Sequence, residues 1–528
     1  MVKIFSSINT PMKNKYVFWV AVLAILAVCL TGCDGKTETS FSIPLDAQIG
    51  DLVLAPCEYE ARDITYAAEC GTLIVPENRG DPVTRMIALP ITRIHSTASD
   101  PGEPIYFLPG GPGLPNEGTS RVAWFIENHD IVSVGYRGVD GSVILSCPEI
   151  SQHIMNLPGD MLGEAAIEQM TNAYAQCADR LQDEGVDLDG YTVVDVVDDL
   201  EAARIALGYE KINLYSISYG TRLAMIYAWR YGENLHRSAM VAINPPGRMF
   251  YYDPAVIDDQ IKYYSVLCAK DPICSSKTND LAESIRIAVD SMPERWLGVP
   301  LNNGLVRAAA FESLGDNQGS AKVFDVWLAA AEGDYSGVAL LSVVGPYMFA
   351  NASVWGDNIA KAANADFDQT SEKRSVLDIG ASIMGSPRSE LAAAAAGWPI
   401  NTIPAEYQTV QPSDVETLLI SGSIDFWTPA QYVEEELLLS LQQGQHIILG
   451  EFGHADMLWQ QPEASARLLS SFFVTGVVDD SLFVYQPWVY EVGLGFPTLA
   501  KIIVAAILVV ITTLILVLRS LINKKVRS

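Results

Sequence analysis

Three residues suited to acyl transfer stand far apart in this 528-residue chain: Ser218, Asp425 and His454. Ser218 lies within Lys211–Tyr231, KINLYSISYGTRLAMIYAWRY. Ile212–Ile217 reads as a short buried strand, and Thr221–Tyr231 sets Leu223, Ile226, Tyr227 and Arg230 at helical spacing. A strand that turns sharply into a helix with a serine at the apex is a nucleophile elbow, and its strained backbone accepts only small flanking residues. Here the flanks are Ser216 and Gly220, so a serine replaces the first glycine of the usual G-x-S-x-G. An ordinary polar turn would show the same five residues. A serine hydroxyl becomes a useful nucleophile only when a base takes its proton and a third group orients that base.

Strand ends select the partners. Reacting groups on an open α/β sheet sit beyond the C-terminal ends of the strands, and elbow-type hydrolases run nucleophile, acid, histidine along the chain. Of six histidines, His446 and His454 follow the second α/β stretch. His446 opens the strand HIIL and so stands at its wrong end, whereas His454 follows that strand in GEFGHA and is read as the base. Asp425 follows TLLIS in SGSIDFWTP and is read as the acid, while Asp414 and Glu416 precede the strand. A surface histidine and a helix-capping aspartate are the plainer alternatives. Gly110 and Gly111 follow the strand PIYFL in PGGPG. Their N–H groups, with that of Tyr219, are read as an oxyanion hole, against the alternative of a surface turn. No Cys/His spacing resembles a zinc site, and neither metal nor cofactor is expected.

The elements that must position these residues alternate. Strands are read at Cys70–Pro76, Arg85–Arg93, Pro104–Leu108, Ile131–Val134, Ile212–Ile217, Ser238–Ile243, Glu416–Ile420 and His446–Leu449. Helices are read at Ala165–Glu184, Val193–Leu207, Ala430–Leu441 and Pro462–Phe472. Asp195, Asp198, Asp199 and Glu201 crowd the start of Val193–Leu207, where the helix dipole favours acids, and are read as structural. The alternation predicts an α/β fold with a mostly parallel sheet flanked by helices. Its core occupies 70–245 and 405–475, after an N-terminal segment at 34–69. Between them, 246–404 loses the strand rhythm to helical runs such as Leu281–Met292, Ala321–Ala331 and Glu390–Ala396, and is read as a helical cap.

A formal charge of −29 argues against a nucleic-acid partner, which needs a basic surface. Lys3, Lys13 and Lys15 precede the apolar run Tyr16–Leu30 and the tetrapeptide LTGC ending at Cys33. That layout is a signal peptide over 1–33 with a bacterial lipobox, Cys33 being the lipidated residue; an uncleaved signal anchor is the alternative. Asp34 resembles an inner-membrane retention signal. Ile502–Leu518 carries no charge and spans about 25 Å as a helix. Phe496–Ala500 extends it to a transmembrane helix at 496–519, after a connector at 476–495 and before a basic tail at 520–528. The positive-inside rule places both basic ends in the cytoplasm and everything between outside the bacterial cytoplasmic membrane. Six cysteines remain after export, Cys57, Cys70, Cys147, Cys177, Cys268 and Cys274, and an oxidising compartment favours disulfides among them. Connectivity is not readable; neighbour pairing (57–70, 147–177, 268–274) is the simplest guess.

The motifs CGTLIVPEN, LPGGPG, GYRGVDGS, DLEAARIALGYEKINLYSISYGTRLA, SGSIDFWTP and FGHADM, between about Cys70 and Gln461, resemble those of the α/β-hydrolase peptidases. That family includes proline iminopeptidase and the tripeptidyl aminopeptidases. The resemblance implies the α/β-hydrolase fold, with serine, aspartate and histidine where Ser218, Asp425 and His454 stand. It also implies an exopeptidase that removes residues from peptide N-termini under a lid whose carboxylates hold the substrate ammonium. Four positions depart from the pattern: Pro109 replaces a histidine, Gly135 an aspartate, Asp140 the second glycine of D-x-R-G-x-G-x-S, and Ser216 the first elbow glycine. A carboxylesterase or other small-molecule hydrolase fits the same three residues, and a membrane-tethered binding protein without catalysis is a third reading.

Overall fold

In the computed structural model, which describes residues 43–157, 159–249, 251–367 and 382–526, nine strands form one sheet. They are β1 (Leu52–Ala61), β2 (Ile64–Pro76), β3 (Met86–Ile94), β4 (Gly102–Leu108), β5 (His129–Val134), β6 (Ile212–Ile217), β7 (Leu235–Val241), β8 (Glu416–Gly422) and β9 (Gly444–Leu449). The spatial order is β1-β2-β3-β5-β4-β6-β7-β8-β9. β1, β2, β3 and β5 pair antiparallel in turn, and from β5 through β4 to β9 every pairing is parallel. The lipobox and Cys33 lie outside the described residues.

Pleating divides the strand residues between two cores. Tyr106 and Leu108 of β4 enter one cluster, and Ile105 and Phe107 enter the other. The first cluster is covered by α1 (Pro148–Met155), α2 (Glu164–Asp183), α3 (Val193–Leu207) and α4 (Tyr219–Tyr231). α3 starts at a capping box, with the Thr192 hydroxyl accepting from the Asp195 N–H, and ends where Gly208 turns left-handed at φ 78°. The acids along α3 do more than suit its dipole. Asp198 pairs with Arg230 at 2.6 Å, Asp199 with buried Arg137 at 2.6 Å, and Glu201 with Arg204 at 2.7 Å.

Between β7 and β8 the described chain is almost wholly helical: α5 (Pro254–Lys270), α6 (Leu281–Asp290), α7 (Asn303–Ser313), α8 (Asn317–Ala331), α9 (Ser336–Phe349), α10 (Trp355–Asp366) and α11 (Pro387–Leu391). α5 to α9 enclose a separate apolar cluster, which Ile424 and Phe426 join from the loop after β8. α12 (Pro462–Thr475) covers the other face of the sheet, and α13 (Phe496–Val526) ends the described chain.

The structure adds to or alters the sequence reading at four places. β1 extends the sheet into the segment at 34–69, where a long antiparallel pairing with β2 compensates for weak patterning. The helix expected at Ala430–Leu441 is three short turns, Ala430–Tyr432, Val433–Leu437 and Leu438–Ser440, the middle one of π type. There Arg248 lies over the Tyr432 ring at 4.0 Å and pairs with Glu436. The connector at 476–495 has no regular element yet docks firmly: Trp488 Nε1 donates to Ser320 Oγ at 2.8 Å and the Tyr490 N–H to Asp271 at 3.1 Å. α13 runs on past residue 519; over Phe496–Asn523 it is long and apolar enough to cross a membrane. The structure joins Cys57 to Cys70, Cys147 to Cys177 and Cys268 to Cys274.

Candidate active site

Ser218 sits at the C-terminal end of β6 with φ 56° and ψ −122°, a conformation costly for any residue with a Cβ. Its N–H donates to the Val241 carbonyl at 2.9 Å, which ties the turn to β7. Gly220 is required there: a Cβ would lie 2.1 Å from the Leu108 carbonyl oxygen. Ser216 is tolerated because its buried hydroxyl leaves the elbow and donates across the sheet to the Ala239 carbonyl at 3.3 Å.

His454 and Asp425 follow β9 and β8, as the sequence reading has them. His454 Nδ1 lies 3.1 and 3.0 Å from the two Asp425 carboxylate oxygens, and Nε2 makes no hydrogen bond among the described residues. Asp425 is fully buried and accepts the Trp427 and Thr428 N–H groups at 2.9 Å each. The Thr428 hydroxyl donates to its other oxygen at 2.5 Å and stands 3.1 Å from His454 Nδ1. Burial pushes the Asp425 carboxyl up; the positive charge and hydrogen bond of His454, with the side-chain and backbone hydrogen bonds from Thr428, outweigh it and hold the group below its ordinary value. The Trp427 ring packs 4.7 Å from the imidazole, centroid to centroid. Ser218 Oγ has no hydrogen-bond partner among the described residues; it shares one cavity with His454.

Sequence reasoning missed the residues that hold the histidine loop. The Gly315 carbonyl, between α7 and α8, accepts the His454 N–H, and the Asn317 N–H donates to Asp456 at 3.0 Å. A Cβ on Gly315 would strike the Trp427 ring at 2.4 Å. The connection between α7 and α8 thus rests directly on the loops of both Asp425 and His454. Thr428 did leave a signal: an aspartate followed at the third position by threonine is a side-chain-to-backbone turn pattern. Asp456 did not. Its carboxyl is pushed up to about 6, chiefly by burial and also by Asp316 and Asp425.

Gly110 lies against the nucleophile, since a Cβ on it would stand 3.2 Å from Ser218 Cβ. Neither the Gly110 nor the Gly111 N–H donates to a described acceptor, and the Tyr219 N–H is in the first turn of α4, where no intrahelical acceptor exists. The next N–H of the loop, on Gly113, donates to Asp357 of α10 at 3.0 Å. Asp357 and Lys361 form a fully buried pair at 2.6 Å, and Lys361 Nζ donates to the Arg137 carbonyl at 2.9 Å. The departures at 135 and 140 compensate one another. Asp140 accepts the Tyr136 and Asn116 N–H groups at 2.7 and 3.0 Å, and a side chain on Gly135 would begin 2.5 Å from Pro90 and 2.8 Å from Asp140 Cβ.

The cavity shared by Ser218 and His454 measures about 610 Å³. Its walls are mostly apolar, with Ile154, Met161 and Met170 from one side and Phe311, Phe349 and Leu391 from the helices between β7 and β8. The carboxylate among its described lining residues is Glu312 of α7, held by Arg388 through two hydrogen bonds of 2.8 and 2.9 Å. Arg388 in turn lies within 6 Å of the rings of Tyr252, Phe311 and Trp427, at 5.7, 5.6 and 5.8 Å. A second cleft, about 960 Å³, opens near Lys211, His236 and Glu416 at the opposite strand ends and contains none of these groups. His446 is not at the start of its strand but two residues inside it. It bonds Ser421 at 3.0 Å, and burial pushes its pKa down to about 4.

The family profile for the alpha/beta hydrolase fold matches residues 103–261. A tripeptidyl aminopeptidase of Streptomyces coelicolor is 26% identical over 278 residues, 50% of this chain and 49% of that protein. Serine protease Hip1 of Mycobacterium tuberculosis is 27% identical over 280 residues, 48% of this chain and 52% of that protein. The chain spans about half the length of the curated relatives it matches. A solved proline iminopeptidase of Mycobacterium smegmatis aligns over 76% of this chain and 97% of its own at 13% identity, with a TM-score of 0.38. By the profile matched over residues 103–261 and by its sheet order, this chain has the α/β-hydrolase fold, and its sequence relatives include a tripeptidyl aminopeptidase and the Hip1 serine protease.

Proposed function

We propose that this chain is a membrane-anchored, extracytoplasmic serine hydrolase that removes residues from peptide N-termini. The observation that carries the reading is His454, held on Asp425 and Thr428 in the cavity onto which Ser218 opens. Ser218 Oγ attacks the scissile carbonyl while His454 Nε2 takes its proton and then delivers it to the leaving amine. Asp425 fixes the imidazole and stabilises its cationic form. The N–H groups of Tyr219 and of Gly110 or Gly111 receive the oxyanion. Peptide specificity draws on the names of the relatives, tripeptidyl aminopeptidase and serine protease. Glu312 of the cap, at 246–404, is the carboxylate for the substrate ammonium; each of its oxygens spends one bond on Arg388 and keeps capacity for another. Anchoring rests on α13, and the extracytoplasmic side on its basic flank and on the three disulfides.

One observation favours an esterase instead: Arg388 already neutralises Glu312, and most of the remaining wall is apolar. The test for both is a panel of aminoacyl-naphthylamides and nitrophenyl esters, with fluorophosphonate labelling and Ser218→Ala as control. Peptidase chemistry predicts faster turnover of free-amino substrates. Faster turnover of simple esters than of every free-amino substrate would sink it, and a folded protein that never labels would leave only the binding protein.

A further inference from the structure

α9 and α13 meet near their starts, beside one charged pair. Lys501 Nζ of α13 meets Asp334, just before α9, at 2.5 Å. Ser336 Oγ donates to the Pro497 carbonyl at 3.2 Å, and Gly337 packs so closely that a Cβ would lie 3.0 Å from the Pro497 ring. Beyond that pair α13 carries no charge until Arg519, and the chain through α9 carries none from Tyr335 to Gly356. The inner face of α9, with Val338, Leu341 and Gly345, is buried against the insertion. Its outer face shows Val343, Tyr347 and Met348 at 52, 69 and 59% exposure. A helix facing water on one side normally carries charge there. This one presents an apolar face on a helix that packs against α13, whose own apolar surface is exposed.

The far end of α9 reaches the chemistry. Phe349, its last residue, lines the cavity with Ala352 and Ser353, about 20 Å along the helix from its start beside Pro497. Leu114 and Trp459, exposed by 44 and 52%, add apolar surface to the same lining.

We propose that α9 is seated in the lipid interface beside α13, so that the cavity draws amphiphilic substrates, with an apolar portion resident in the membrane, from the bilayer surface. This rests on the anchoring proposed above. The occupant of the α9 face is phospholipid because α9 starts beside the same charged pair as the span itself. Its mostly apolar cavity then accepts the apolar portion of the substrate next to the hydrolysed acyl bond.

The test uses the full chain in nanodiscs of phosphatidylethanolamine and phosphatidylglycerol, with p-benzoylphenylalanine placed separately at Tyr347, at Leu514 of α13 and at exposed Ile205 of α3. Irradiation is expected to give a phospholipid adduct, read by intact mass, at 347 and 514 and none at 205. An adduct at 514 without one at 347 overturns the seating of α9 and leaves the anchor standing. No adduct at 514 overturns the anchor and this proposal with it. The second arm compares a vesicle-embedded long-chain nitrophenyl ester with soluble nitrophenyl acetate for the V343D/Y347D double variant. A loss of about tenfold confined to the embedded ester is expected, the factor that corresponds to displacing one apolar side chain from lipid. Equal losses on both esters, or none, refute delivery from the membrane. If the native chain turns over neither ester and takes no fluorophosphonate label, the serine-hydrolase reading fails while the crosslinking arm still decides the seating.

Discussion

Replacing Thr428 by valine removes one hydroxyl and keeps the side chain's shape, so its effect isolates the bond to Asp425. That bond is 2.5 Å long and ends on a carboxylate with no solvent exposure. Hydrogen bonds to charged groups contribute about 1.5–3 kcal/mol, and here no water replaces the lost donor. The carboxylate keeps the Trp427 and Thr428 N–H groups and His454, so it stays in place but less firmly fixed. If half or more of that energy is felt when His454 becomes cationic in the transition state, kcat falls by about 4- to 160-fold. KM should hold, because Thr428 acts through Asp425 and not on substrate. Steady-state kinetics on the best substrate of the panel, alongside the rate of fluorophosphonate labelling, reads this directly. Thr428→Ser, which restores the donor, should recover most of the rate. A folded Thr428→Val protein whose kcat stays within about twofold of the native value would show that Asp425 needs no such support, and the positioning role would fall.

Three further outcomes follow from the same geometry. Glu312→Gln should raise KM for free-amino peptides by about tenfold, the scale of one charge-assisted bond, and affect N-acylated substrates much less; equal changes on both would remove Glu312 from ammonium binding. Asp456, with a folded pKa of about 6 against an ordinary 3.8, holds a proton between those values that the unfolded chain has released. Its contribution to stability therefore grows as pH falls from about 6 to about 4, by at most about 3 kcal/mol; Asp456→Asn should stabilise the protein more at pH 7 than at pH 4 in thermal unfolding, and a pH-independent difference would refute this. At the elbow, Ser216→Gly gives up only the long bond to Ala239 and should label with fluorophosphonate at close to the native rate, whereas Gly220→Ala drives a Cβ into the Leu108 carbonyl and should abolish labelling or folding.

The candidate site was legible because its logic is local. A strand end is visible as an apolar run that stops, and Ser218, Asp425 and His454 each lie within a few residues of one. What could not be read is what depends on side chains arriving from elsewhere. Nothing near His454 in sequence announces that Gly315 and Asn317, more than a hundred positions earlier, hold its loop, nor that Lys361 braces the backbone of Arg137. The exchange at 135 and 140 makes the point most sharply. Read along the chain it is two departures from a motif, an aspartate lost and a glycine lost. In space the two are one arrangement: the carboxylate at 140 takes the Tyr136 N–H, five residues on from the motif's usual acid, and the glycine at 135 leaves room for it and for Pro90. Restoring the motif with Gly135→Asp alone would place two carboxylates and a proline ring in one space. It should therefore destabilise the chain more than either departure, taken separately, suggests.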